Sequence, residues 1–297
     1  MKAIPCLAAA SVLAVSGFAA PPAAATAPQE LTAEEFAADE ATGQRLRPRE
    51  GVITASEEKD FLKLMKSLSF PAYVYSGCND RAHAAYLLLP SALKGKVNKI
   101  WVAAPAAFSA GVKGTISTPE LQPGHGPVSW AFHVALLYRT AEGTKVYDTA
   151  LSPDKPLSEA EWLGRLSLPK FTFVMRTSGA PYNFNQVRNT EALAASKAQW
   201  IGAYYTYDDA YFKEAWIPRA LARDAVGVQL MRGNGCDYLK TYIKDPGKMQ
   251  DFLLGKDPEQ PDKPADPARL AQCSSSVELF GAERDKWMKA IPAQNYW

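Results

Sequence analysis

One hairpin sets the terms on which this chain can fold. The run Trp130 to Tyr138 (Trp-Ala-Phe-His-Val-Ala-Leu-Leu-Tyr) and the shorter stretch Lys145 to Tyr147 are rich in strand formers, and Thr140-Ala-Glu-Gly143 between them is turn chemistry. Two strands joined by so short a connection pair antiparallel. An antiparallel sheet therefore forms the frame, and any helices must pack on its faces. The class this predicts is α+β.

The helices can be read around that frame. Thr54 with Glu57 three residues on is a capping box, and Phe61, Leu62, Met65 and Leu68 recur at helical spacing, so a helix is expected over residues 55–68. Phe70 to Tyr75 is short, aromatic and β-branched, and runs as an extended segment into Ser76-Gly77-Cys78. From Cys78 the residues are strong helix formers, with Pro90 closing the run. Lys99 to Ala104 and Leu166 to Met175 read as further strands. After about Thr190 the character changes: Ala192 to Tyr205 and Tyr211 to Ala222 read as helices, and Val226 to Met231 as a strand or a buried helical segment. Asp257 to Pro267 is a Pro/Asp-rich loop.

The N-terminus reads as an export signal. Lys2 supplies the positive end, Ala3 to Ala20 an apolar stretch of small residues, and Ala23-Ala24-Ala25 a cleavage site ahead of Thr26. The expected organisation is a signal peptide over 1–25, a linker or short pro-segment over 26–50, a core over 51–190 and a mainly helical extension over 191–297. The expected protein is secreted or periplasmic, leaves the membrane after cleavage, and is a monomer. A formal net charge of +2 over 297 residues gives no electrostatic footprint for nucleic acid.

Removing the signal removes Cys6 and leaves Cys78, Cys236 and Cys273, an odd set for an oxidising compartment. Cys236 and Cys273 flank the polar, Pro-rich stretch and are expected to form a disulfide. Cys78 then stands alone at the first turn of a helix, with Ser76 or Gly77 placed to cap it. Backbone N–H groups and the helix dipole there stabilise an anion, the setting of a nucleophilic thiolate; an inert structural cysteine is the alternative.

A thiolate needs a base, and the chain has only three histidines. His83 lies about 140° round the helix axis from Cys78 and is assigned to the fold. His125 sits in loop chemistry, Gly124-His-Gly-Pro127. His133 begins the first hairpin strand, and Asp148 ends the second; these two positions lie at the same end of the hairpin, with a register the sequence leaves open. Asp154 is the fallback partner. Thiol at a helix start, then His, then Asp, is the order of papain-like and transglutaminase-like hydrolases. The spacing of Cys78, His83, His125 and His133 matches no standard zinc pattern, and flavin, nicotinamide and phosphate-binding glycine motifs are absent. No metal or cofactor is expected.

These residues resemble a known family. Gly77-Cys78-Asn-Asp-Arg81-Ala82-His83 is similar to the G-C-x-x-R-A-H signature of the bacterial protein-glutaminases (protein-glutamine deamidases). Ser129-Trp130-Ala-Phe132-His133-Val134-Ala135 resembles that family's W-S-Y-H-V-A strand, and Val146-Tyr147-Asp148 its I-D-P-S-L segment, departing from it at Thr149 and Ala150. Trp162 falls where the family also has a tryptophan. The resemblance covers about residues 55–190. It implies a papain/transglutaminase-like core, with the nucleophile helix packed on an antiparallel sheet, and a triad of Cys78, His133 and Asp148. The implied substrate is a protein or peptide with an accessible glutamine. Trp130 and Tyr75 are candidate walls for the glutamine methylenes, and Arg81 and His83 serve the fold. The same triad would also suit a transglutaminase or a thiol protease, and an exported interaction domain with an inert Cys78 is the non-enzymatic alternative.

Overall fold

The computed structural model of the chain describes residues 29–31, 46–107, 114–119, 121, 125–170, 172–184, 204–205 and 215–291. The expected signal peptide, most of the 26–50 segment and residues 192–203 lie outside the described residues. Strand β1 (Gln29–Leu31) is followed by helices α1 (Ala55–Leu68), α2 (Cys78–Leu87) and α3 (Ser91–Lys94). Strands β2 (Val97–Ala103), β3 (Ile116–Thr118), β4 (Val128–Trp130), β5 (Phe132–Thr140), β6 (Gly143–Tyr147) and β7 (Leu157–Ser158) lead into α4 (Glu159–Gly164) and β8 (Phe173–Ser178). Two short strands, β9 (Asn183–Phe184) and β10 (Tyr204–Tyr205), precede α5 (Trp216–Met231), α6 (Asp237–Lys240), α7 (Pro246–Leu253), α8 (Pro267–Gln272) and α9 (Ser274–Ala290).

The main sheet runs β1-β8-β2-β5-β6-β7. Its neighbours pair antiparallel except β1, which runs parallel to β8. Strand β2 is buried along its whole length, as a central strand covered on both faces must be. Alternation sends Trp101 and Ala103 to one face and Ile100 and Val102 to the other. Helices α1 and α2 cover the first face through Phe61, Met65, Ala82 and Ala85. The second face receives Val226 and Leu230 of α5 and Met249 and Phe252 of α7. Each such large apolar side chain stabilises the fold by roughly 1.5–3 kcal/mol when fully buried. The architecture is α+β, with α2 on a largely antiparallel sheet and a mainly helical C-terminal region.

Local chemistry explains the element ends. The capping box of α1 forms: Thr54 Oγ1 accepts from the Glu57 amide at 3.2 Å, and the Glu57 carboxylate accepts from the Thr54 amide at 2.9 Å. The hairpin turn is tight, with Thr140 paired to Gly143, whose φ of +133° only glycine adopts freely.

Several expectations need correction. The run from Trp130 to Tyr138 is broken at Ala131, whose carbonyl accepts the Ala104 amide, so Trp130 ends β4 and pairs with β3 while β5 starts at Phe132. The strand expected over Leu166 to Met175 begins later, at Phe173, because Pro169 interrupts the run and cannot donate to a ladder. Tyr204 and Tyr205, placed in a helix from sequence, form β10 against β9. Val226 to Met231 is the end of helix α5, which begins among the described residues at Trp216. Part of the expected linker takes sheet structure as β1, and Leu46 is buried.

The C-terminal helices share the core. Ile217 and Leu221 of α5 and Trp287 of α9 pack with Ala84 and Leu87 of α2. Cys236 and Cys273 form a disulfide, and Cys78 is the free thiol among the described residues. A thiol count on the denatured, unreduced protein lacking residues 1–25 is therefore expected to find one thiol; three would contradict the pairing. Among the described residues, no helix is long and apolar enough to cross a membrane.

Candidate active site

The hairpin register answers the question the sequence left open. Leu136 pairs with Tyr147, so Asp148 falls opposite Ala135 and on the face that carries His133. His133 Nε2 and Asp148 Oδ2 lie 2.6 Å apart, both residues buried. The rest of the carboxylate is also occupied. Oδ1 accepts from the amides of Ala150 at 2.8 Å and Leu151 at 3.3 Å, and Oδ2 accepts from the Trp162 indole at 2.7 Å. A carboxylate so fully bonded has one orientation available to it.

The imidazole is held on its faces as well. Trp130 stacks on it at 4.4 Å and 10°, and Trp162 lies on the other stacking contact at 5.8 Å and 19°. Trp130 Nε1 donates to the Val74 carbonyl at 2.7 Å, which ties this wall to the segment leading into Cys78.

Cys78 is the first residue of α2 and is partly exposed. The free backbone N–H groups of a helix start surround it. Gly77 precedes it with φ +78°, and a Cβ there would sit 2.1 Å from Asp224 Oδ2, so both backbone and space require glycine. With Nε2 committed to Asp148, the ring nitrogen left for Cys78 is Nδ1, which is buried and, among the described residues, has no other partner. Burial pushes His133 down, but the charge and hydrogen bond of Asp148, with those of Cys78, outweigh it and carry the imidazole up to about 10. Burial pushes Asp148 up, and the His133 charge and hydrogen bond, with those from Trp162 and Ala150, bring it down to about 2. The pair is thus an imidazolium and a carboxylate at neutral pH.

A small cavity of about 20 Å³, roughly one water, opens beside Cys78 between α2 and β5–β6, with Arg81, Ala82, Tyr147, Asp148 and Thr149 in its lining. Trp130 and Tyr75 do not line it. Tyr75 is half-buried, and its hydroxyl donates to the His125 carbonyl at 3.2 Å.

The other histidines are engaged elsewhere. His83 is buried, its Nδ1 2.8 Å from the fully buried Lys99 Nζ, and burial pushes both groups down. His125 is half-buried rather than exposed, with Nε2 2.8 Å from the Met231 carbonyl. Asp154 lies outside the site and is exposed. Nothing local in the sequence assigns Trp162 a role; its helix is fixed by a second capping box, Ser158 with Glu161, which aims the indole at Asp148. Arg81, Thr149 and Asp224 also meet the site. The signal for Asp224 was present in the chain, as an Arg-Asp pair inside the apolar run Ala220 to Val226.

Comparison with known proteins agrees in part of the chain. The family model described as Glutaminase matches residues 55–166. No curated protein matches. Among solved structures, the chain is similar to the NMR structure of protein-glutaminase from Chryseobacterium proteolyticum, at 17% identity and TM-score 0.38 over 57% of this chain and 87% of that one. A crystal structure of protein-glutaminase matches at 18% identity and TM-score 0.36 over 63% and 92%. A crystal structure of pro-protein-glutaminase matches at 16% identity and TM-score 0.38 over 69% and 66%. The chemistry that goes with the family match is hydrolysis of a glutamine side-chain amide. Residues 55–166, the stretch that holds Cys78, His133 and Asp148, are thus similar to the glutaminase family.

Proposed function

We propose that the protein is an exported protein-glutamine glutaminase that converts protein-bound glutamine to glutamate and ammonia through a triad of Cys78, His133 and Asp148. The observation that carries this reading is the buried His133 ring, fixed through Nε2 by Asp148 with Nδ1 left for the thiol at the start of α2. The Cys78 thiolate attacks the side-chain amide carbon, and the oxyanion is held by backbone N–H groups at the helix start. Imidazolium His133 gives its proton to the departing nitrogen, which leaves as ammonia, and a thioester remains. The now neutral His133 takes a proton from water as the water attacks the thioester. The tetrahedral intermediate collapses to glutamate and returns the thiolate and imidazolium. Asp148 orients the ring and stabilises its cation throughout. No step calls for a metal or cofactor.

Trp130 and Tyr75 are proposed to border the glutamine methylenes at the outer edge of the site. The substrate is a protein or peptide with an exposed glutamine, and the protein acts as a monomer. Residues 1–25 are proposed as the export signal and 26–50 as a linker or short pro-segment, which places the mature protein outside the cytoplasm; the Cys236–Cys273 disulfide suits that compartment.

Incubation with casein separates the reactions one triad can perform. Ammonia release without crosslinks or fragments is the expected outcome. Isopeptide crosslinks would replace this reading by a transglutaminase, and peptide fragments by a thiol protease.

A further inference from the structure

Three charged residues meet beneath the turn that presents Cys78. Asp224 of α5 is fully buried, and its Oδ2 accepts from Arg81 Nη1 at 2.6 Å. Its Oδ1 accepts from Arg223 Nε at 3.0 Å and Nη2 at 2.7 Å. The two guanidinium groups then reach on to the catalytic loops. Arg81 Nη1 donates to the Ser76 carbonyl at 2.8 Å, and Arg81 Nε donates to Thr149 Oγ1 at 3.1 Å. Arg223 Nη2 donates to Ser76 Oγ at 3.2 Å. Thr149 immediately follows Asp148, so the planar fork of Arg81 touches the chain on both sides of the triad: the residue two before Cys78 and the residue after Asp148. Only the rigid guanidinium geometry can hold those contacts together.

We propose that Asp224, which lies outside the stretch matched by the glutaminase family, is a positioning residue for the reaction. It locks Arg81, and Arg81 sets the distance between the Ser76–Cys78 turn and the loop that carries Asp148. Gly77 lets this happen, because any side chain there would displace the Asp224 carboxylate. The threonine at 149 is part of the device, since its hydroxyl gives Arg81 Nε its acceptor. This inference rests on Cys78 being the nucleophile.

The test uses the full chain, with ammonia release from casein as one readout and the rate of Cys78 alkylation by iodoacetamide against pH as the other. Asp224→Asn is expected to lower kcat about hundredfold with KM within about twofold, the scale of a misplacement of about 1 Å. Thr149→Val cuts the same chain of contacts at its far end in a half-buried site, and decides the matter should Asp224→Asn fail to fold. It is expected to lower kcat about tenfold and to change the alkylation profile, with Thr149→Ser restoring both. A folded Asp224→Asn or a Thr149→Val with wild-type kcat and alkylation profile would overturn the proposal, as would a Thr149→Ser no better than Thr149→Val. Alkylation reads the turn without any substrate. A wild-type protein that releases no ammonia therefore counts against the glutaminase reading, while the alkylation profiles still decide this one.

Discussion

Replacing Cys78 by Ala is expected to abolish ammonia release, with a loss of at least about ten-thousandfold. The proposed covalent catalysis has no substitute nucleophile. Among the described residues Cys78 is the free thiol, and the other two cysteines are consumed by a disulfide. The backbone N–H groups at the helix start survive the change, yet they stabilise an oxyanion that no longer forms at a useful rate. The same variant should lose neutral-pH labelling by iodoacetamide and keep its melting temperature, since the side chain removed is small and partly exposed. Undiminished ammonia release from the alanine variant would rule the mechanism out.

The second large effect belongs to Asp148→Asn. A loss of about a thousandfold or more in kcat is expected, because the amide neither stabilises the imidazolium nor selects its tautomer. The pH profile should change with it. His133 stays protonated up to about 10 because Asp148 and Cys78 together outweigh its burial. Without the carboxylate charge burial prevails, and the alkaline limb of kcat should move to lower pH. Stability carries a matching signature, with opposite signs for the two partners. The raised His133 contributes fully below its ordinary 6.5, and that contribution is lost as pH climbs towards about 10. The lowered Asp148 contributes above its ordinary 3.8, and that contribution is lost as pH falls towards about 2. The wild type should therefore melt at lower temperature at both extremes, while the asparagine variant should show a flatter profile. An alkaline limb that does not move would show that Asp148 does not hold the His133 proton.

How much of this could be read from the chain depends on range. The cap at Thr54, the helix start at Cys78 and the tight turn before Gly143 are local, and each follows from its own residues. His133 and Asp148 could be brought to one end of a hairpin, but whether they share a face depends on the register, and a shift of one residue would have parted them. The break at Ala131 arises because β4 pairs with β3, a partner the run itself does not reveal. Pro169 was visible and should have delayed the strand to Phe173. The long-range contacts were not legible at all: an Arg-Asp pair in an apolar helix says that something charged is buried, and only the packing of α5 against α2 says what it meets.

The Arg81–Asp224 contact also bears on when a newly made molecule becomes active. Its two halves are 143 residues apart. At roughly 5–20 residues per second, the second is synthesised about 7–30 s after the first. Once Asp148 has been added, and for the 76 residues that remain up to Asp224, the growing polypeptide holds its thiol, its imidazole and its carboxylate, yet lacks the anchor beneath them. On the proposed positioning role of Asp224, full activity then arrives with the last third of the chain.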